Sequence, residues 1–261
     1  MHPAEVLFCS VPVAPLRAEP SHRSEQVSQA LWGESMHVLG QESTWFHVKL
    51  SVDGYLGWIS ERQVIAPGGT VPESCLQVNS DWALLKTPDH GKSFILSMGS
   101  ILRPFLGPPG GELLQGTAAL LPSETQNPAL VLERGLAWLG TPYLWGGRSR
   151  FGVDCSGLVQ VLWGSVGVPL PRDASEQYQK APFQFETDDP AAWQVGNLAF
   201  FSEDSDRITH VGLLTGDGHL LHASGEVRLD PVNPAGIASR TNGTSFHHRL
   251  VSLAAYHTPR S

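Results

Sequence analysis

Asp154-Cys155-Ser156-Gly157-Leu158-Val159-Gln160-Val161-Leu162 decides how the second half of this chain is read. Leu158, Val159, Leu162 and Val166 form an apolar stripe at helical spacing, and Gly167 supplies a stop. A helix that begins here holds Cys155 at its amino end, where exposed amide groups and the positive end of the peptide dipoles favour an anion. Asp154 beside it acts in the opposite direction. A free thiol has a pKa of about 8.5 and attacks only as thiolate, so a reactive Cys155 needs an imidazole to take its proton.

Outward from that segment the grammar is helical and then extended. Asn127 suits a helix cap, Pro128 the first helical position, and Leu132, Leu136 and Leu139 recur at i, i+4 and i+7 before Gly140. Asp173-Ala174-Ser175-Glu176 resembles a capping box for another short helix. From Asn197-Leu198-Ala199-Phe200-Phe201 to the final Arg249-Leu250-Val251-Ser252-Leu253 the pattern is that of antiparallel strands. Helices first and sheet afterwards predict an α+β domain over 127–261.

Two histidines flank a hairpin signal: His210-Val211-Gly212-Leu213-Leu214-Thr215, then Gly216-Asp217-Gly218, then His219-Leu220-Leu221-His222-Ala223. A three-residue loop pairs Thr215 with His219 and Gly212 with His222, which sets His222 diagonally from His210 on one sheet face. A two-residue loop would shift the pairing and turn His222 to the other face. With the first register, Cys155 attacks a carbonyl carbon, His210 takes and returns the proton, and His222 fixes the orientation of His210. The backbone N–H of Cys155 and a hydroxyl such as that of Tyr143 are candidate donors to the tetrahedral oxyanion. The rival readings are a structural cysteine with two sheet histidines, and zinc held by Cys155, His210 and His222, for which no C-x-x-C or H-E-x-x-H spacing is present.

The first half reads differently. Trp45-Phe46-His47-Val48-Lys49-Leu50 alternates by face, Asp53-Gly54 turns, and Tyr55-Leu56-Gly57-Trp58-Ile59 resumes, the grammar of a small β-barrel over 1–66. Pro67-Gly68-Gly69 marks a linker. A second β-rich stretch over 70–124 carries Trp82-Ala83-Leu84-Leu85, Phe94-Ile95-Leu96 and Ile101-Leu102, punctuated by Pro88, Gly91 and Gly99, with Pro108-Pro109-Gly110-Gly111 as a loop.

The bulk numbers narrow the partners. At 261 residues two or three compact units are expected. A net charge of -8 argues against a nucleic-acid partner, because phosphate binding needs clustered Lys and Arg. No run suits a membrane span, and Met1-His2-Pro3-Ala4-Glu5 lacks the start of a signal peptide, so the expected location is the cytoplasm, the alternative being the outside by a route the sequence does not display. Cys9, Cys75 and Cys155 are too few and too far apart for a disulfide framework. Gly146-Gly147-Arg148 lacks the Gly-Lys-Ser/Thr of a phosphate cradle, Asn242-Gly243-Thr244 is a chance-level glycosylation pattern, and His247-His248 is expected to face solvent.

Gly140-Thr141-Pro142-Tyr143-Leu144-Trp145-Gly146-Gly147 with Asp154-Cys155-Ser156-Gly157-Leu158-Val159 resembles the nucleophile motif of the NlpC family of bacterial cell-wall cysteine peptidases. His210-Val211-Gly212, and His222-Ala223 twelve positions later, resemble that family's other two catalytic motifs in the same order, and Leu170-Pro171-Arg172-Asp173-Ala174-Ser175-Glu176-Gln177 resembles the segment between nucleophile and base. The β-rich first half looks like bacterial SH3-type barrels. The resemblance implies two small all-β SH3-like barrels followed by a papain-like α+β catalytic domain, with the active site in a groove against the first barrel. It points to the γ-D-glutamyl-L-diamino-acid endopeptidases, which cut murein peptides carrying a free N-terminal L-alanine.

By that similarity Asp154 and Ser156 hold the free amine, Ser175 lines the same pocket, and Tyr55 in Gly54-Tyr55-Leu56-Gly57-Trp58 is the candidate that closes it. An ammonium entering a confined site needs a negative partner, which Asp154 provides. Tyr55 reads equally well as a barrel aromatic packed on Trp58 or Trp45. The implied substrate is a small peptide such as L-Ala-γ-D-Glu-diamino acid, with no cofactor, no metal, no nucleic acid and no membrane, and with the oligomeric state left open. The rivals are a wall-remodelling endopeptidase or amidase, and a silent binding module whose thiol would not react selectively with iodoacetamide.

Overall fold

The computed structural model describes residues 6–67, 75–86, 93–103, 112–120, 127–185, 189–203, 207–239 and 246–256. Met1-His2-Pro3-Ala4-Glu5, Gly68-Gly69 of the expected linker, Pro88, Gly91, Pro108-Pro109-Gly110-Gly111 and Asn242-Gly243-Thr244 lie outside the described residues. The chain divides into two compact units, residues 1–122 with 145–151, and residues 123–144 with 152–261.

The first unit opens with a seven-stranded antiparallel sheet, in the spatial order Gln26–Leu31, Val13–Arg17, Leu56–Ser60, Trp45–Leu50, Ser35–Glu42, Val6–Cys9, Val64–Ile65. The alternation anticipated at Trp45–Leu50 puts Val48 and Leu50 inside and Lys49 outside. Gly54 turns the chain at φ 76°, and its N–H meets the Leu50 carbonyl at 2.9 Å. Leu7, Cys9, Leu16, Met36, Val48, Leu50 and Ile59 fill the core.

The second β-rich stretch forms two three-stranded sheets, Ser93–Ser97, Trp82–Lys86, Glu112–Gln115 and Ile101–Leu102, Leu76–Val78, Ala118–Leu120. Its core of Val78, Ala83, Leu85 and Leu96 is completed by Trp32 from the first stretch, so one apolar cluster joins the two. Residues 145–151 also belong to this unit. Arg148 forks onto the Glu34 carboxylate at 3.0 and 3.1 Å and reaches the Gln29 carbonyl at 2.9 Å, with both charged side chains buried. Gly146 sits at φ 72° where a Cβ would lie 2.5 Å from the Gln26 carbonyl oxygen. Arg148 is therefore a buried ion-pair partner.

The second unit holds the helices α1 (Pro128–Leu136), α2 (Cys155–Gly164) and α3 (Ala174–Lys180). The strands of its main sheet are β1 (Phe183–Phe185), β2 (Leu198–Ser202), β3 (His210–Leu214), β4 (His219–Ser224), β5 (Glu226–Asn233), β6 (Gly236–Ala238), β7 (Phe246–His247) and β8 (Arg249–Ala255). They form one sheet in the order β1-β8-β2-β3-β4-β5-β6-β7.

Asn127 caps α1 as expected, its side chain accepting from the Leu130 N–H. The anticipated stripe is displaced: Leu136 and Leu139 are exposed, while Val131, Gly135 and Trp138 are buried. The reason is Gly135, where a Cβ would stand 2.5 Å from Leu221 Cδ2 and 3.0 Å from Leu162 Cδ1, so the helix packs through its bare backbone. A hydropathy count assigns no weight to that face. Every residue of α2 from Cys155 to Trp163 is buried, as for a helix enclosed on all sides. Asp173 occupies the N-cap of α3, but its side chain makes no cap hydrogen bond.

Candidate active site

The hairpin of β3 and β4 has the register set by the three-residue loop: Leu213 faces Leu221, Leu214 faces Leu220, and the Thr215 N–H meets the His219 carbonyl at 3.1 Å. His210 and His222 consequently share a face, offset by two residues. His210 Nε2 lies 2.8 Å from His222 Nδ1, with the rings nearly perpendicular at 83°. These facing nitrogens are engaged with each other, an arrangement unlike two imidazoles turned toward a shared zinc ion.

Cys155 begins α2, which packs on β3 and β4. Its thiol is pushed up to about 12, first by burial and then by the Asp154 charge; backbone hydrogen bonds from Val211 and Ser156 and the Arg172 charge oppose the rise. Burial, and then His222, hold the His210 imidazole well below its ordinary value. Burial thus disfavours the charged form of both groups.

Tyr143 is fixed by its backbone. Its N–H donates to the Gly225 carbonyl at 2.9 Å, and the Leu144 and Val153 amides tie the segment to Gly152–Val153, the two-residue strand that leads into α2. The phenol is pushed up to about 12 by burial and by the Cys155 and Asp154 charges, so it keeps its proton and remains a donor.

Asp154 caps α2, its Oδ1 accepting from the Gly157 N–H at 2.7 Å and the Ser156 hydroxyl at 3.2 Å. The same carboxylate is forked by Arg172, at 3.0 Å to Oδ1 and 2.6 Å to Oδ2, and Arg172 also reaches the Ser156 hydroxyl at 3.0 Å. Asp154 and Ser156 are therefore joined through a buried arginine, for which the local sequence pattern gives no signal. Ser175, half-buried, lies in the first turn of α3. Tyr55 lies in the first unit at the turn after Trp45–Leu50, its N–H on Asp53 Oδ1 at 2.9 Å.

Two further groups escaped the sequence reading. Asp230 Oδ2 lies 3.1 Å from His222 Nε2 and accepts from Arg228 Nε at 2.7 Å. The Gly225 turn pairs Ser224 with Glu226, so alternation along β5 puts Arg228 and Asp230 beside His222, a signal present in the sequence but unread. The second group corrects an expectation: His247 is exposed, but His248 stacks on His210 with ring centroids 4.9 Å apart and planes at 18°. A left-handed φ of 56° at His248 turns its side chain inward, which strand alternation does not foretell.

Residues 140–245 match the NlpC/P60 family, and residues 16–64 match the bacterial dipeptidyl-peptidase Sh3 domain. The peptidoglycan endopeptidase RipB of Mycobacterium tuberculosis is 30% identical over 191 residues, covering 66% of this chain and 76% of that protein. The chain belongs to the NlpC/P60 family. Another NlpC/P60 relative, the gamma-D-glutamyl-L-lysine dipeptidyl-peptidase of Bacillus subtilis, is 29% identical over 216 residues, 75% of this chain and 71% of that protein. A solved NlpC/P60 family protein from Bacillus cereus superposes with a TM-score of 0.78 at 21% identity, over 96% of this chain and 99% of that one, and so shares the fold. The protein is a cysteine peptidase with an SH3-like domain before its NlpC/P60 domain.

Proposed function

We propose that this protein hydrolyses the γ-D-glutamyl-L-diamino-acid bond of small murein peptides whose N-terminal L-alanine is free, in the cytoplasmic recycling of wall fragments. The observation that carries the reading is the buried Asp154-Cys155-Ser156 corner at the amino end of α2, where the carboxylate and the hydroxyl that flank the cysteine in sequence meet each other at 3.2 Å. The naming of a Bacillus subtilis relative as a gamma-D-glutamyl-L-lysine dipeptidyl-peptidase supports the same substrate class. On this reading the second β-rich stretch is a diverged SH3-like barrel.

Cys155 Sγ attacks the glutamyl carbonyl carbon as its proton passes to His210. His210 Nε2 is held by His222, which leaves Nδ1 as the receiving atom. The Cys155 N–H and the Tyr143 hydroxyl donate to the oxyanion, and their stabilisation offsets the cost of ionising a buried thiol. Collapse breaks the C–N bond, and the proton on His210 moves to the departing diamino-acid nitrogen. Water then attacks the thioester with His210 again as base, and Cys155 recovers its proton.

Arg172 already neutralises much of the Asp154 charge, so recognition of the substrate ammonium rests on acceptor geometry as much as on net charge. Ser156 and Ser175 supply hydroxyl acceptors for it.

The test is mass spectrometry of L-Ala-γ-D-Glu-L-Lys and its diaminopimelate counterpart, each with free and N-acetylated alanine, incubated with wild type and Cys155→Ala. Release of the alanine-glutamate dipeptide by wild type alone, from free-amine peptides alone, supports the assignment. Survival of all four peptides overturns it. Because a relative is named as a peptidoglycan endopeptidase, purified sacculi form the comparison arm, and efficient cleavage of sacculi would favour wall remodelling over recycling.

A further inference from the structure

Three strands carry one line of hydrogen bonds, each step crossing to the next strand with the same offset of two residues. His210 on β3 meets His222 on β4 at 2.8 Å, and His222 meets Asp230 on β5 at 3.1 Å. His222 faces Arg228 across the β4–β5 ladder, and Leu220 faces Asp230, so Asp230 is diagonal to His222 as His222 is to His210. All three side chains are buried.

We infer that Asp230 is a positioning residue for catalysis, fixing through His222 which nitrogen of His210 is basic. The inference rests on the proposed role of His210 as base.

Burial pushes the Asp230 carboxyl up, but the hydrogen bonds from His222 and Arg228 outweigh it and hold the group below the usual carboxylate range. An ionised carboxylate only accepts, so the hydrogen between His222 and Asp230 resides on His222 Nε2. If His222 carries a single N–H, that leaves a lone pair on its Nδ1. The hydrogen shared with His210 must then reside on His210 Nε2, and His210 Nδ1 carries the lone pair that takes the Cys155 proton. Without an acceptor at Asp230, both imidazoles could reverse. His210 would then present Nδ1–H, a form unable to accept that proton.

Arg228 makes the acceptor specific. Its Nε donates to the same Oδ2 at 2.7 Å, and its guanidinium also reaches the Ser224 carbonyl at 2.6 Å. An atom placed between Arg228 Nε–H and His222 Nε2 must therefore accept from both. A carbonyl oxygen satisfies that requirement, whereas an amide NH2 or a methyl group does not.

The experiment is nitrogen NMR of the full chain labelled in its histidine rings, at pH 8, on wild type, Asp230→Leu and Asp230→Asn. Wild type is expected to show Nε2–H and unprotonated Nδ1 at both His210 and His222. Asp230→Leu is expected to mix the two tautomers at His210 and to lower kcat on the murein tripeptide about tenfold or more, with KM within about twofold; losing the orienting carboxylate of a serine-protease triad costs about 10⁴. Asp230→Asn, whose carbonyl oxygen replaces Oδ2, is expected to restore the wild-type tautomer and most of kcat. Should Asp230→Leu fail to fold, a wild-type spectrum with Nδ1–H on His210 or a doubly protonated His222 still overturns the inference, as does an unchanged His210 spectrum in a folded Asp230→Leu. The spectra need no substrate, so inactivity on the tripeptide would sink the substrate assignment alone, whereas an active wild type with the wrong tautomer would sink this inference alone.

Discussion

Replacing Arg148 with Met should destabilise the first unit by an amount that depends on pH in a defined way. Arg148 and Glu34 are 4% and 3% exposed, and Met keeps the apolar stem while removing the charge. Glu34 retains the Leu31 N–H at 2.8 Å but loses both guanidinium contacts. Breaking a buried pair costs about 3–5 kcal/mol when the remaining charge persists. It need not persist, because a carboxylate with an ordinary value of 4.5 can take a proton at pH 7 for about (7 − 4.5) × 1.36 ≈ 3.4 kcal/mol. Burial already raises Glu34 in the wild type despite Arg148, so part of that cost is present before the mutation. Leaving the Gln29 carbonyl without this donor adds about 1 kcal/mol. The expected loss is about 2–4 kcal/mol at pH 7.

The sign follows from the raised carboxyl. Below pH 4.5 folded and unfolded chains both hold the proton and the charge penalty vanishes; above it the penalty grows by about 1.4 kcal/mol per pH unit until the folded group ionises. Hydrogen exchange in graded urea, followed on peptides from residues 26–50 between pH 5 and 8, reads this unit separately from the other. Glu34→Gln/Arg148→Met, which buries no charge, should lie within about 1 kcal/mol of wild type. A loss equal at pH 5 and pH 7.5, or a double variant as unstable as the single one, would refute the reasoning.

Gly135→Ala should cost about 1–2 kcal/mol although Ala is the better helix former by about 1 kcal/mol, because the new methyl meets the buried ends of Leu221 and Leu162; a rise in thermal midpoint would contradict the packing. His210 favours folding at and above its ordinary pH range and withdraws that support in acid, since below pH 6.5 the unfolded imidazole takes a proton that the folded one resists. His210→Gln should therefore flatten the acid limb of the stability curve by up to about 1.4 kcal/mol per unit, and an unchanged slope in urea titrations would count against it. His248→Ala uncovers the His210 ring and removes a neighbour that lowers its basicity, so the acid limb of kcat/KM should move to higher pH. No movement would mean that the stacking leaves His210 unaffected.

Local grammar settled what depends on neighbours in sequence. The Asn127 cap, the Gly54 turn, the start of α2 at Cys155 and the three-residue loop that sets the His210–His222 register are each fixed by a few adjacent residues, because caps and turns satisfy backbone groups within one turn of chain. The same locality let the contact between His210 and His222 be anticipated from the hairpin alone.

What the sequence left unread was decided by neighbours distant along the chain. The buried face of α1 follows from how closely α2 and β4 approach Gly135, and the shared core of the two β-rich stretches from the burial of Trp32 among residues of the second. Arg148 and Arg172 look like ordinary surface cations until the fold brings Glu34 and Asp154 against them. Asp230 and His248 join the site only because a third strand lies beside β4 and a left-handed residue turns a ring inward. Charges and close contacts of this kind act through space, and which groups become neighbours once water is excluded is determined by the tertiary structure alone.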